Sequence, residues 1–444
     1  MKNQSVVNVL YLFLILLTFN LHNVSFAQEK EDEETPKEQI PLEERKTGDS
    51  FIENVGELPG DLVTFPVRLV LKGISKTARW IDFQNVYLRV TDWLTNEDGT
   101  RKVRPIFMPA SGGGLIFIQD NLFREGMKFR ASGSSGTRTR RNFYGGLRDT
   151  QLFSSKFGLE LAGFYKRLPD EDFFGLGNDS RKGKPTVRKG RLTGETNYLH
   201  EESNFEGDLL SVPYKATQFA AGFSYSNVNI KRGRDNNHPS TDTTFTEEEV
   251  PGLFGAEMWS LVLKYYHDSR NAIGHPTSGG EEFFSVEFSK EIDGSNFGYR
   301  KYTLDLQRYV ELFYERVLAV RVRTEVTDKM EGREIPFYRL AGLGGTDNLR
   351  GYRPVRFRDE DLMLFSAEYR FEVNTYAIVY GFFEEGRVFN NIFDEFTFND
   401  FKYSAGGGLR FRARNGNLTA IFEIAKSQEQ TRVIFGLNMD LRRF

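Results

Sequence analysis

The side chains able to do covalent or metal chemistry are few and badly spaced for it. The chain has no cysteine, which removes disulfides, thiolate metal sites, a cysteine nucleophile and a lipidated cysteine. Of five histidines, His22 lies in the first 27 residues, His200, His267 and His275 fall in or beside alternating segments, and His238 sits in the polar stretch 232–250. None has a Ser-His-Asp arrangement or a metal-ligand spacing, so no catalytic residue, metal or other cofactor is assigned and the chain reads as a non-enzyme. The glycines around Gly342, Gly344 and Gly345 are followed by neither a helix start nor a Lys-Ser/Thr pair, which argues against a phosphate-binding loop. A formal charge of −3 argues against nucleic acid as a partner. What remains is a connection, 329–360, well beyond the roughly 12–15 residues of an ordinary structureless loop and therefore a candidate functional segment.

The elements that must position that connection are strands. Aromatic residues make up 14% of the chain, with 41 Phe and 19 Tyr, and 42 Gly against 14 Pro, a strand-rich profile. From about residue 112 the apolar period is two. In 316–328, Leu318, Val320, Val322 and Val326 share one face and Arg321, Arg323 and Glu325 the other. In 431–441, Val433, Phe435, Leu437, Met439 and Leu441 oppose Arg432, Asn438 and Asp440, and in 281–292, Phe284, Val286 and Phe288 oppose Glu287 and Ser289. A soluble sandwich alternates too, with its apolar face inward. Here the segments exceed the usual five or six residues and approach the 9–11 that a tilted strand needs to cross a bilayer. Backbone groups in lipid must all be paired, which for β structure only a closed barrel achieves. The fold expected is therefore an all-β, antiparallel transmembrane barrel with its charged face toward a watery lumen and lipid outside. Fifteen segments are recognisable, and the even count of bacterial barrels points to sixteen, with the missing strand expected inside 185–215. The first and last strands are then expected to be 113–119 and 431–441, meeting at a seam.

Upstream, Lys2, the apolar stretch Val9–Phe19 and Ser25-Phe26-Ala27 make residues 1–27 a signal peptide with cleavage after Ala27. Residues 28–60 form an acidic, apolar-poor tether. Residues 61–109 carry Trp80, Phe83, Tyr87, Val90 and Leu94 at helical spacing, an amphipathic helical segment, leaving 110–444 as the barrel. No apolar run of about 18 residues occurs beyond residue 27, so a helical membrane bundle is excluded. The terminal Phe444 is an aromatic end of the kind outer-membrane barrels present for assembly, although out of phase with the Leu437, Met439, Leu441 row.

Within the long connection, Leu349-Arg350-Gly351-Tyr352 resembles the inward-folded loop signature of the BamA/TamA surface-antigen superfamily of outer-membrane barrels. Other stretches are similar in the same order. Phe173 to Asn178 resembles a recurring family segment. Asp268-Ser269-Arg270, with Pro276 and Gly279, looks like the family's Asp-x-Arg turn, Ala367 to Phe371 like the strand after the loop, and Phe382-Phe383-Glu384-Glu385-Gly386 like its Phe-x-Asp-x-Gly strand with Glu for Asp. The resemblance implies a loop folded into the lumen, where an arginine must find carboxylates or forfeit several kcal/mol of hydration. An Arg350–Glu384 ion pair with Glu368 close by is expected. It further implies a bacterial outer-membrane location, contact with outer-membrane lipid, and a part in protein or lipid assembly or translocation. Members that handle clients carry periplasmic domains of about 75 residues that capture by strand addition. No such repeated unit is legible between Gln28 and Met108, so a partner protein is expected to supply it, and a passive pore or structural barrel is the rival reading.

Overall fold

The computed structural model describes residues 95–96, 98–108, 112–152, 157–180, 186–188, 191–214, 216–272, 275–294, 296–313, 315–374, 377–412 and 419–437, all within the compact unit Asn85–Phe444. Sixteen antiparallel strands close into a barrel. Its wall begins with β1 (Arg101–Met108), β2 (Gly112–Asp120), β3 (Met127–Ser135), β4 (Arg141–Leu152) and β5 (Phe157–Phe173). A small hairpin of β6 (Thr186–Arg188) and β7 (Arg191–Thr193) stands outside the wall. The wall resumes with β8 (Thr196–Ser211), β9 (Thr217–Arg232), β10 (Gly255–Asp268), β11 (Gly279–Glu291), β12 (Gly298–Phe313) and β13 (Arg316–Lys329). A second hairpin, β14 (Ala341–Leu343) with β15 (Phe357–Asp359), belongs to the long connection. The last wall strands are β16 (Asp361–Asn374), β17 (Ala377–Phe389), β18 (Lys402–Arg412), β19 (Thr419–Ser427) and β20 (Thr431–Leu437).

Side chains sort by face as the period of two requires. On β13, Val320 stands on the outer surface while Glu325 is buried inside; on β20, Val433 and Phe435 are exposed and Ile434, between them, is buried. The outward rows Leu209, Phe205, Phe219, Phe223, Leu261 and Leu263 form the belt that lipid covers, since in water so many exposed large apolar side chains on one surface would drive association. The inward rows carry the charge and pair it within the lumen: Arg321 with Asp305 at 2.6 Å, Arg323 with Glu325 at 2.5 Å, and Lys264 with Asp208 at 2.7 Å.

Three expectations about the wall are corrected. The sixteenth strand does not lie in 185–215, where Thr186–Thr193 instead makes the outlying hairpin; it is β1, inside the stretch 61–109 assigned to the helical segment. The barrel therefore starts at Arg101 and not at 110, and the strand at 113–119 is second in the wall. Pro105 masks this strand in the sequence. Proline cannot donate to a ladder and marks edge positions, and here it falls in a strand bordering the seam. β1 aligns with β2 from Arg101↔Gln119 to Met108↔Gly112 and meets β20 at Phe107↔Leu437, the last described residue. The signal peptide, the tether, the helix around Trp80 and Phe444 lie outside the described residues.

Candidate lumen site

The connection between β13 and β16 folds inward and builds its own apolar core. Ala341, Leu343, Leu349, Tyr352 and Phe357 pack on Leu362 and Leu364 of β16 and Val388 of β17. Leu349 adopts φ 47°, a left-handed conformation that costs a branched residue about 1–3 kcal/mol. It is held there by complete burial and by the Tyr352 amide donating to its carbonyl at 2.9 Å. That turn aims Arg350 at the wall.

Arg350 meets three carboxylates. Its Nε donates to Glu384 Oε1 at 2.7 Å, and its backbone amide donates to Oε2 of the same group, also at 2.7 Å. Its Nη1 donates to Glu368 Oε2 at 3.2 Å and to Glu423 Oε1 at 3.0 Å. The guanidinium carbon lies 3.5 Å from the centre of the Phe382 ring. Burial alone would lower the pKa of Arg350, but Glu384, Glu368 and Glu423 outweigh it and raise it above the ordinary guanidinium value. The carboxylates have supports of their own: Arg370 Nε lies 2.6 Å from Glu368 Oε1, and the Tyr380 hydroxyl donates to Glu423 at 2.6 Å. The longer Glu at 384 reaches both the arginine side chain and its backbone amide.

The remaining motif residues have equally local reasons. Gly351 slides between β18 and β19: its amide donates to Ser404 Oγ at 2.8 Å, its carbonyl accepts from Ser427 Oγ at 2.9 Å, and a Cβ would sit 2.9 Å from Lys426 C, Ser404 Oγ and Ser427 Cβ. Tyr352 is fully buried with its ring edge-on to Phe357 at 5.1 Å. Arg432 of β20 donates through Nη1 to the carbonyls of Arg350, at 2.9 Å, and Tyr352.

A second anchor lies across the lumen, and nothing in the sequence singled it out. Arg339 Nη2 donates to Glu202 Oε1 of β8 at 3.0 Å and to Ser226 Oγ of β9 at 2.9 Å, while Lys301 of β12 donates to the Arg339 carbonyl at 2.6 Å. Glu202 also holds Lys166 at 2.7 Å and His200 at 2.9 Å. In the ring of sixteen, β9 stands seventh and β19 fifteenth, eight places apart. The connection is therefore a strap fastened to opposite walls. Near its return, Arg356 pairs with Glu429 at 2.7 Å and Arg353 with Glu195. The segment beginning at Phe173 docks on it: the Phe174 ring lies 4.5 Å from the Arg356 guanidinium, and the Gly177 amide donates to the Arg358 carbonyl at 2.8 Å.

The turn residues lie at the other end of the barrel, Asp268 as the last residue of β10 and Arg270 and Pro276 in its connection to β11. Arg270 clamps Asp268 at 2.7 Å and Glu281 at 2.9 Å, and Pro276 is buried. The histidines are scattered: His267 meets Thr217, His275 meets Glu372, and His238 meets Asp235 and Glu195. Glu423 also went unassigned in the sequence, although the alternation that places Glu368 in the lumen places Glu423 there as well.

The family model of the Omp85 superfamily domain matches residues 121–439. Among solved structures, the barrel is similar to BamA from Haemophilus ducreyi lacking POTRA domains 1–3, with a TM-score of 0.55 and 16% identity over 76% of this chain and 70% of that one. CdiB from Escherichia coli and CdiB from Acinetobacter baumannii each align over 76% of this chain with a TM-score of 0.49 and 11% identity, covering 61% and 58% of those chains.

Proposed function

The chain belongs to the Omp85 superfamily and is an outer-membrane barrel, and from that premise we propose that it takes part in assembling or translocating protein or lipid at the outer membrane, using the wall and not the lumen as the route. The observation that carries this reading is the strap. A connection pinned to β17 and β19 by Arg350 and to β8 and β9 by Arg339 obstructs the lumen that a passive pore needs open. The wall, in contrast, closes between its first and last strands, β1 and β20, which meet at Phe107↔Leu437. A client strand that enters there pairs with the edges that β1 and β20 otherwise offer to each other. A periplasmic or outer-membrane partner protein delivers the client.

The test uses proteoliposomes holding the full chain. The absence of native cysteine allows a unique pair, Phe107→Cys with Leu437→Cys, to lock the seam by oxidation. The expected outcome is faster insertion of an unfolded barrel client, lost on oxidation and regained on reduction. Steady ion conductance with no acceleration of insertion would instead favour a passive pore.

A further inference from the structure

Five of the thirteen residues from Phe389 to Phe401 are phenylalanine, in a connection between β17 and β18 that the lumen site does not use. This connection turns outward. Phe389 stands on the lipid-facing row of β17 with Phe383, yet it is 1% exposed because the connection folds over it. Its ring packs with Phe396 and Phe401, each at 6.3 Å, and Phe401 reaches Phe365 on the outer face of β16 at 6.2 Å. Phe396 and Phe398 meet edge-on at 5.1 Å. The result is a sheet of rings that continues the outward pair Phe383–Tyr403 beyond the strand ends.

Part of this surface is left open: Phe398 is 75% exposed, Phe396 40%, and Phe393, in the turn before them, 41%. Their position is nonetheless fixed. Arg387, outward on β17, donates through Nη1 to Thr397 Oγ1 at 2.9 Å and to the carbonyls of Thr397 and Asn399 at 3.3 and 3.2 Å, with its guanidinium 4.6 Å from the Phe389 ring centre. Asp361 accepts the Ile392 amide at 2.9 Å, and Asn178 donates to the Asp400 carbonyl at 2.6 Å. A tether that holds apolar rings rigidly in water would be a liability; held against a lipid-facing wall, the same rings meet the acyl boundary.

We infer that residues 389–401 form a lipid anchor at the barrel rim from which the strap enters: Phe393, Phe396 and Phe398 seat in the boundary between headgroups and acyl chains, and Arg387 holds them there. The occupant is lipid because the patch continues the surface that lipid already covers at Phe365, Phe383 and Tyr403. The inference rests on the barrel and its location and is independent of any client.

The chain's lack of cysteine permits single fluorophore sites at Phe398→Cys, Phe383→Cys as a lipid reference and Asn236→Cys as an aqueous reference. The full chain is folded into dioleoylphosphatidylcholine vesicles doped with a lipid carrying a nitroxide near its headgroup, and folding of each variant is verified by its heat-modifiable migration. The expected result is lipid quenching at position 398 comparable with that at 383, and loss of quenching by aqueous iodide relative to 236. Introducing Arg387→Gln should shift the 398 signal toward the aqueous reference. A probe at 398 that behaves like one at 236 in the otherwise native chain overturns the anchor, as does protection that appears only when a second protein is added.

Discussion

Replacing Arg350 with alanine removes one guanidinium and leaves three carboxylates facing the space it filled. Breaking a buried pair by deleting one partner costs about 3–5 kcal/mol. The structure sets the lower end of that range. Glu384 keeps the residue's backbone amide at 2.7 Å, Glu368 keeps Arg370 at 2.6 Å, and Glu423 keeps the Tyr380 hydroxyl at 2.6 Å, so no carboxylate is left bare. A loss of about 3 kcal/mol shifts the balance between seated and released strap by more than about a hundredfold, at roughly 1.4 kcal/mol per tenfold. When opening is fast relative to cleavage, proteolysis follows that population. Trypsin added to the full chain in vesicles should therefore cut within 330–360 about a hundredfold faster in Arg350→Ala, with single-channel conductance rising. Arg350→Lys should fall between, because an ammonium supplies the charge without the planar fork that engages Glu384 and Glu423 together. The Arg339 anchor keeps the far end in place, so Arg350→Ala combined with Arg339→Ala should release more strap than either alone. Unchanged cleavage together with unchanged conductance in the single variant would refute the reasoning.

Other expectations follow from the same contacts. Glu384→Gln keeps the shape and an acceptor for the Arg350 amide but loses the charge, worth about 1.5–3 kcal/mol for a hydrogen bond to an ionised partner, and its protease sensitivity should lie between wild type and Arg350→Ala. Gly351→Ala introduces a Cβ 2.9 Å from Lys426 C and Ser427 Cβ and should destabilise the seated strap by about 1–3 kcal/mol, read as a lower temperature for loss of heat-modifiable migration. Arg432→Gln should raise cleavage around 350–352 by weakening the donors to two strap carbonyls, while leaving cleavage near Arg339 unchanged.

The parts of this molecule that were legible are those in which one physical rule acts along one strand. Lipid outside and water inside force a period of two, so Leu318, Val320 and Val322 declare the outer face of β13 and Arg321, Arg323 and Glu325 its lumen face without any knowledge of their neighbours. The same rule placed Glu368 and Glu384 on inward rows. It failed at β1, where Pro105 and the basic residues Arg101, Lys102 and Arg104 obscure the alternation and a preceding helical pattern absorbed the segment. It was silent about Arg339, because contacts made across a lumen depend on which strands stand opposite, and ring order is not written in any local window. Arg353, Arg356 and Arg358 are chemically equivalent to Arg339 in the sequence; only the closed ring shows that Arg339 is the one set to reach Glu202 and Ser226.

That opposition has a consequence for the seam. β20 borders the junction with β1, and it also carries Arg432, whose guanidinium holds the carbonyls of Arg350 and Tyr352. The strap is thus bonded to the strand that must move if the junction parts. Moving β20 outward stretches the Arg432 contacts, and unseating Arg350 removes the surface against which Arg432 is held. Wall and strap share bonds, so a perturbation of either changes the free energy of the other by the same amount. A double-mutant cycle between Arg432→Gln and Arg350→Ala, read by the rate of oxidative locking at Phe107→Cys and Leu437→Cys, measures that shared term. Strictly additive effects on the locking rate would mean that the two motions are separate.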